Sequence, residues 1–389
     1  MKYETWGDRD KYGEWKPDGS PSMSPLFSPP LRAKRILRYL FGFEGFLWPF
    51  NAVYAGLAVL VWFVATPALA QMQTFRVGWV LQIFLRNALL LTILAGGLHL
   101  RLYVKKAQGK KYKYSDQWLA EHDSKFLFGN QLWDNVVWSL GSGVFFWSAW
   151  EVVSLWLYAN GHIPMITFQE SPAFFIVLMV LIPIFRSLHF YWIHRLIHWR
   201  PLYKLCHYLH HKNVNVGPWS GLAMHPLEHL LYFSGALLHW IVPSHPIHMI
   251  FHLQHAALSP TISHAGFYKV LFDDDDHGLK SDNYFHYLHH KYFSVNFGSE
   301  AVPLDAWFGS YHDGTKERHR QIIDKHRAKA RKKLPMAAPV APSSRVPRRP
   351  SRWESTALPA KKRPAMPETP LLLRAMPTWV GENPSWLTK

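Results

Sequence analysis

Between residues 194 and 211 the chain reads HRLIHWRPLYKLCHYLHH, which places imidazoles at His194, His198, His207, His210 and His211. The pattern HYLHH returns at His286, His289 and His290. Neutral imidazole is the commonest nitrogen ligand for iron and zinc. Residues three or four apart share a helix face. His194 and His198 therefore project together, and His207, His210 and His211 form a three-pronged face. Adjacent His210 and His211 can splay toward two different metal atoms, as can His289 and His290. Trp199-Arg200-Pro201 breaks the first helix, so the second cluster can fold back against it. Eight imidazoles are too many for one tetrahedral zinc and suit two metals in one pocket. A lone histidine in a membrane-proximal helix is ordinarily an interfacial or hydrogen-bonded residue; it is the three clusters together that point to metal.

Other polar residues sit outside these clusters. In MHPLEH, His225 and His229 flank Glu228 at i,i+4 spacing. His225, and His264 in SHAGF, are taken as further ligands or as donors to ligands. His189 lies about 140° round a helix from His194 and faces elsewhere. His239, His245, His248, His252 and His255 have mixed spacings and are expected at the membrane interface, with His252 and His255 able to line a substrate entrance. Glu151 falls inside an apolar segment, where a carboxylate is costly and either structural or functional. Asp273–Asp276 is expected to be a solvated loop. No catalytic side chain is assigned beyond the metal ligands.

Long apolar runs must carry these clusters. They lie at roughly 50–70, 78–103, 136–158 and 172–192, each about long enough to cross a hydrocarbon core of about 30 Å. A fifth region, 230–262, is interrupted by Pro243 and Pro246 and reads as a hairpin that dips in and returns. Basic residues precede the first span (Arg32, Lys34, Arg35, Arg38), follow the second (Arg101, Lys105, Lys106, Lys110, Lys111, Lys113) and follow the fourth (Arg195, Arg200, Lys204, Lys212). The positive-inside rule then puts every histidine cluster on the cytosolic face. Lone Cys206 excludes disulfides and cysteine-based metal sites.

Of the net charge of +17, most falls in the Pro-rich stretch 316–389, which has 18 Lys/Arg against 5 Asp/Glu. It is expected to be disordered and cytosolic, against anionic headgroups if anything; nucleic acid is not an expected partner. The chain thus divides into a polar segment 1–35, transmembrane helices with a cytosolic loop 36–173, a metal-binding region 174–315 and the basic tail 316–389. The fold class is all-α: a multi-pass helical bundle of about four spans plus a broken or re-entrant hairpin, capped by a histidine-rich helical metal site.

FYWIHRLIH (190–198), HYLHH (207–211), AMHPLEH (223–229), SHAGF (263–267), HYLHHKYFSVNFG (286–298) and LDAWFGSYHDGT (304–315) resemble the fatty acid hydroxylase / sterol desaturase superfamily, the membrane-bound all-histidine di-iron oxygenases. The resemblance covers roughly 174–315. It makes His194 and His198 the first histidine box, His207, His210 and His211 the second, and His286, His289 and His290 the third. His225 with Glu228, and His264, look like the sterol-acting branches. Asn296, Phe297 and Gly298 resemble the family's Asn-Tyr-Gly with Phe for Tyr. The acidic residue common before the first box is absent; Ser187 and Leu188 stand there.

The resemblance implies two iron ions, for which zinc can substitute in structures, and an O2-dependent hydroxylation or desaturation of a lipid, most of all a sterol. Each turnover needs two electrons. Neither a GxGxxG after a strand nor an HPGG haem motif occurs, so a separate donor is implied: a cytochrome b-type carrier or reductase, or a ferredoxin. Arg195, Lys204, Lys212 and the tail are candidates to dock it. The compartment is the endoplasmic reticulum or a bacterial inner membrane. Two rival readings are a bis-histidine haem electron carrier and a metal transporter. Both call for ligands within the spans, whereas these histidines flank them.

Overall fold

The computed structural model describes residues 7–331 apart from 20, 22, 282 and 283. Helices dominate. α1 (Ala33–Phe41) leads into α2 (Phe50–Ala65). Three long rods follow: α3 (Val77–Val104), α4 (Gln131–Ala159) and α5 (Pro172–Ile197). α6 covers 200–211, α7 is Pro226–Phe233 and α8 is Pro246–Ser263. A short antiparallel hairpin, β1 (Lys269–Leu271) with β2 (Gly278–Lys280), pairs Val270 with Leu279. It departs from a purely helical expectation. Beyond it lie α9 (Tyr284–Tyr292), α10 (Leu304–Trp307) and α11 (Lys316–Arg331).

Of the four expected spans, α3, α4 and α5 are long and apolar enough to cross a membrane. α2, with 16 residues, is shorter than the run 50–70 suggested, because the chain turns at Thr66 and forms a separate short turn at Leu69–Met72. The fifth region is broken where Pro243 and Pro246 predict: short turns at Ser234–Leu237 and Leu238–Ile241 precede the break and α8 follows it. Pro246 at the first position of α8 fits helix initiation, and α8 then runs through the centre of the bundle. Nearly every side chain from Pro246 to Thr261 is buried, against α2, α4, α5 and the turn Pro218–Leu222. Gly221 permits that turn to touch α8: a Cβ there would stand 2.5 Å from the Pro260 carbonyl oxygen.

The histidines of α8 are buried inside the bundle. His239 Nε2 lies 3.1 Å from His252 Nδ1, and His248 Nε2 is 2.9 Å from the Phe175 carbonyl. Glu151 on α4 accepts from Arg86 on α3 and, at 3.0 Å, from Asn87 Nδ2. The carboxylate clamps two rods together and is structural. The aspartate run forms the β1–β2 turn, where Asp276 pairs with Lys111 and Lys269 at 2.9 Å each. Residues 316–331, expected within an unstructured tail, form α11; the remainder of that tail, 332–389, lies outside the described residues.

Candidate metal centre

α5 ends where Trp199 and Pro201 interrupt it, and α6 turns back across its end. Within α6 the turn Tyr203–His207 is π-helical, which widens the backbone just before the second histidine group. α8 terminates after Pro260. The carbonyl of Pro260 receives both the backbone N–H of His264, at 2.9 Å, and its Nδ1–H, at 2.8 Å, so the helix end aims the ring. α9 supplies the third group. Four chain segments thus meet at one end of the bundle.

Their imidazoles form two sets. His194, His198, His207, His211 and His289 form one, and His210, His264, His286 and His290 the other; in each set the ligating atoms lie within 4.8 Å of one another. Neighbouring residues divide between the sets: His211 joins the first and His210 the second, and His289 and His290 part in the same way. In the first set His198 Nε2 stands 3.0 Å from His207 Nε2, 3.1 Å from His211 Nε2 and 3.2 Å from His289 Nε2. In the second, His264 Nε2 is 3.1 Å from both His286 and His290.

The protons on these rings are fixed by what lies behind them. His194 Nδ1 is 2.5 Å from the Phe297 carbonyl, His289 Nδ1 2.6 Å from the Val295 carbonyl, and His264 Nδ1 2.8 Å from the Pro260 carbonyl. A carbonyl only accepts, so each Nδ1 carries the hydrogen and each neutral Nε2 presents a bare lone pair. Lone pairs that converge at such distances repel unless a cation sits between them. Burial holds His198, His207, His211, His264, His286, His289 and His290 well below the usual imidazole range, so the rings are neutral, as metal binding requires. The residues present therefore fit two metal ions held by nitrogen alone.

Two supports escape a reading by spacing. Glu228 Oε1 lies 2.7 Å from His207 Nδ1, both side chains buried. It provides a carboxylate behind the imidazoles, which Ser187 and Leu188, before His194, do not. The motif MHPLEH held the clue, but the neighbour of Glu228 is 21 residues upstream. Asp305 accepts from the N–H of Phe297 at 2.9 Å and of Gly298 at 2.7 Å, which holds the Phe297 carbonyl over His194. Asn296 supports the same loop. It sits at φ 52° and donates to the carbonyls of Phe285 and His312, 3.1 Å each.

His225 is not with the others. It is the N-cap of α7: Pro226 starts that helix, and His225 Nδ1 accepts from the N–H of Leu227 at 3.2 Å. It belongs to neither imidazole set. His229 instead contacts Ser142 Oγ at 2.9 Å and the Leu222 carbonyl at 3.1 Å. His189, as its angle predicts, turns away to Ser234 Oγ at 3.0 Å. Lys212 is not a free docking cation, since it pairs with buried Asp134 at 2.8 Å.

A cavity of about 370 Å³ opens beside the imidazoles. His194, His207, His210, His264 and His286 line it, together with Tyr54, Pro183, Phe190, Met224 and His255 and with polar residues such as Asn51 and Ser259. Its position on α2, α5 and α8 places it within the bundle. His255 lines it as expected, whereas His252 is turned to His239.

Residues 179–310 match the fatty acid hydroxylase family. Among curated proteins, the chain is similar to a Delta(7)-sterol 5(6)-desaturase of Aspergillus fumigatus, 31% identical over 155 residues, 35% of this chain and 48% of the relative. A Delta(7)-sterol 5(6)-desaturase of Gibberella zeae is 30% identical over 34% of this chain and 41% of its own. One from Eremothecium gossypii is 27% identical over 37% and 40%. The chain spans less than half the length of these relatives. No solved structure matches it.

Proposed function

We propose, from the premise that the region 179–310 belongs to the fatty acid hydroxylase / sterol desaturase superfamily, that the protein is a membrane-bound non-haem di-iron oxygenase that hydroxylates or desaturates a lipid of the sterol class. The observation that carries this reading is the convergence of nine buried or half-buried imidazoles, in sets of five and four, beside one cavity whose wall five of them form.

His194, His198, His207, His211 and His289 would hold one iron, and His210, His264, His286 and His290 the other. A bound iron pair supplies reductive activation of O2 and oxidation of an unactivated C–H bond. For hydroxylation, one O2, two electrons and two protons convert the C–H to an alcohol and release one water. Removal of a second hydrogen gives an alkene and two waters. The protein's part is positional. The carbonyls of Phe297, Val295 and Pro260 and the carboxylate of Glu228 keep His194, His289, His264 and His207 each in one tautomer and orientation. Phe190, Pro183 and Met224 exclude water and hold an apolar chain or ring beside the imidazoles.

The electrons come from a separate carrier, and the histidine end faces the cytosol in either the endoplasmic reticulum or a bacterial inner membrane. The decisive experiment is lipid profiling of cells with and without the gene and with the His210→Ala variant. A hydroxylated or newly unsaturated lipid should be present with the native chain and missing in the other two. Its persistence with His210→Ala would overturn the reading.

A further inference from the structure

One cation of the cavity is not used by the metal centre. Arg186 sits on α5 eight residues before His194, about 12 Å along the axis. Phe190 lies between them: its ring centroid is 5.4 Å from the Arg186 guanidinium carbon and 4.8 Å from the His194 ring. All three line the cavity. Arg186 Nη2 donates to Tyr232 Oη at 2.8 Å, and Tyr232 in turn donates to the Ala256 carbonyl at 2.7 Å.

Among the described residues no carboxylate lies within ion-pair distance of Arg186. Three carboxylates line the same cavity and are engaged elsewhere: Glu228 by His207, Glu44 by Lys280 at 3.4 Å, and Glu300, which has an interaction of its own. A guanidinium within a spanning helix is costly without an acceptor. Three buried polar atoms at this end of the cavity also have no partner: Arg186 Nε, Tyr54 Oη and His255 Nδ1. Tyr54 and His255 meet edge to face at 5.3 Å, and Asn51 Oδ1 fixes the other nitrogen of His255 at 2.9 Å. Because the Asn51 oxygen only accepts, His255 Nε2 carries the hydrogen and Nδ1 is an acceptor; Arg186 Nε–H and Tyr54 O–H are thus two donors without a partner beside it, in a cavity that the imidazoles also line.

We propose that Arg186, with Tyr54 beside it, is the subsite for the polar end of the substrate, and that this end is an oxygen acceptor: the carboxylate of an acyl chain or the hydroxyl of a sterol. The fork of Arg186 takes the oxygen, and Phe190 spaces it from the reacting carbon. This rests on the reading that the cavity receives a lipid.

The test uses the full chain in detergent, without added metal, and energy transfer from its tryptophans to bound probes. The probes are cis-parinaric acid and its methyl ester, and dehydroergosterol and its 3-methyl ether. In at least one pair the free-head probe should bind about tenfold more tightly than the blocked one. Arg186→Met should abolish that difference without altering affinity for the blocked probe. The pair that discriminates identifies carboxylate or hydroxyl. Equal binding within both pairs by the native chain, which needs no variant to fold, would overturn the subsite while leaving lipid binding intact. Failure of all four probes to bind would remove the lipid cavity as well. Equal loss of free and blocked probe in Arg186→Met would make the residue structural.

Discussion

His207 and Glu228, 21 residues apart in the chain, share a buried hydrogen bond of 2.7 Å between Nδ1 and Oε1. Burial disfavours charge on both, raising the Glu228 carboxyl well above its usual range and lowering the His207 imidazolium. A cation at His207 Nε2 favours the carboxylate and the Nδ1–H tautomer instead. Glu228→Gln keeps the volume but removes the charge, and its amide can present a donor to Nδ1. Affinity for one of two metal ions should fall about 10–100-fold, read by competition with a chelator on the purified protein. Unchanged affinity would show that Glu228 serves packing alone.

The two imidazole sets predict separable losses. His211→Ala and His290→Ala each remove a member of a different set. Each should lower bound metal by roughly half, since each strips one site of a ligand, and the double variant should bind almost none. His225→Ala should retain all the metal and lose at most about 1 kcal/mol of stability, as expected for a helix cap. Elemental analysis of the purified variants decides; loss of metal in His225→Ala would return that residue to the site.

Glu151 and Arg86 form a buried ion pair between α3 and α4, their side chains 0% and 7% exposed. Glu151→Leu leaves a guanidinium without its counter-charge and should destabilise the protein by about 3–5 kcal/mol. Adding Arg86→Leu should recover most of that loss. Denaturant unfolding in micelles measures both. A double variant no more stable than the single one would mean that the hydrogen bond from Asn87 Nδ2 on α3 to Ser148 Oγ on α4, at 3.2 Å, and not the charge pair, holds the rods.

Lys113 lies in the loop between α3 and α4, fully buried, and donates to the carbonyls of Ser115 at 3.0 Å and Gln117 at 2.7 Å. Desolvation, followed by the charge of Arg9, lowers its pKa to about 7 from 10.5. Between these values the unfolded chain binds more protons than the folded one, so this residue makes stability rise with pH from about 7 to about 10.5. Lys113→Met should flatten that rise. Thermal melting across this window tests it, and an unchanged slope in the variant would assign the pH dependence elsewhere.

The sequence by itself determined which atoms can bind metal and on which segments they ride. HxxxH and HxxHH are helical spacings, and that local geometry requires nothing beyond the backbone period. The apolar runs likewise announced α3, α4 and α5, because length and hydropathy are local properties. The run 50–70 announced α2 too, though not its end at Ala65; α8 could not be placed that way. An 18-residue helix interrupted by histidines read as one arm of a hairpin until packing showed α8 buried among α2, α4 and α5.

Tertiary structure decided the rest, because it depends on distances between residues far apart in the chain. His225 and His264 looked equivalent in their motifs. A proline after His225 made it a helix cap, whereas Pro260 before His264 ended a helix that points the ring at His286 and His290. Glu228 could be paired with His207, and Arg186 found without a carboxylate, only once α5, α6, α7 and α8 had been brought together. Spacing along one helix can name a ligand; the partner that orients it, and the cation left waiting for one, are set by which helices the core forces into contact.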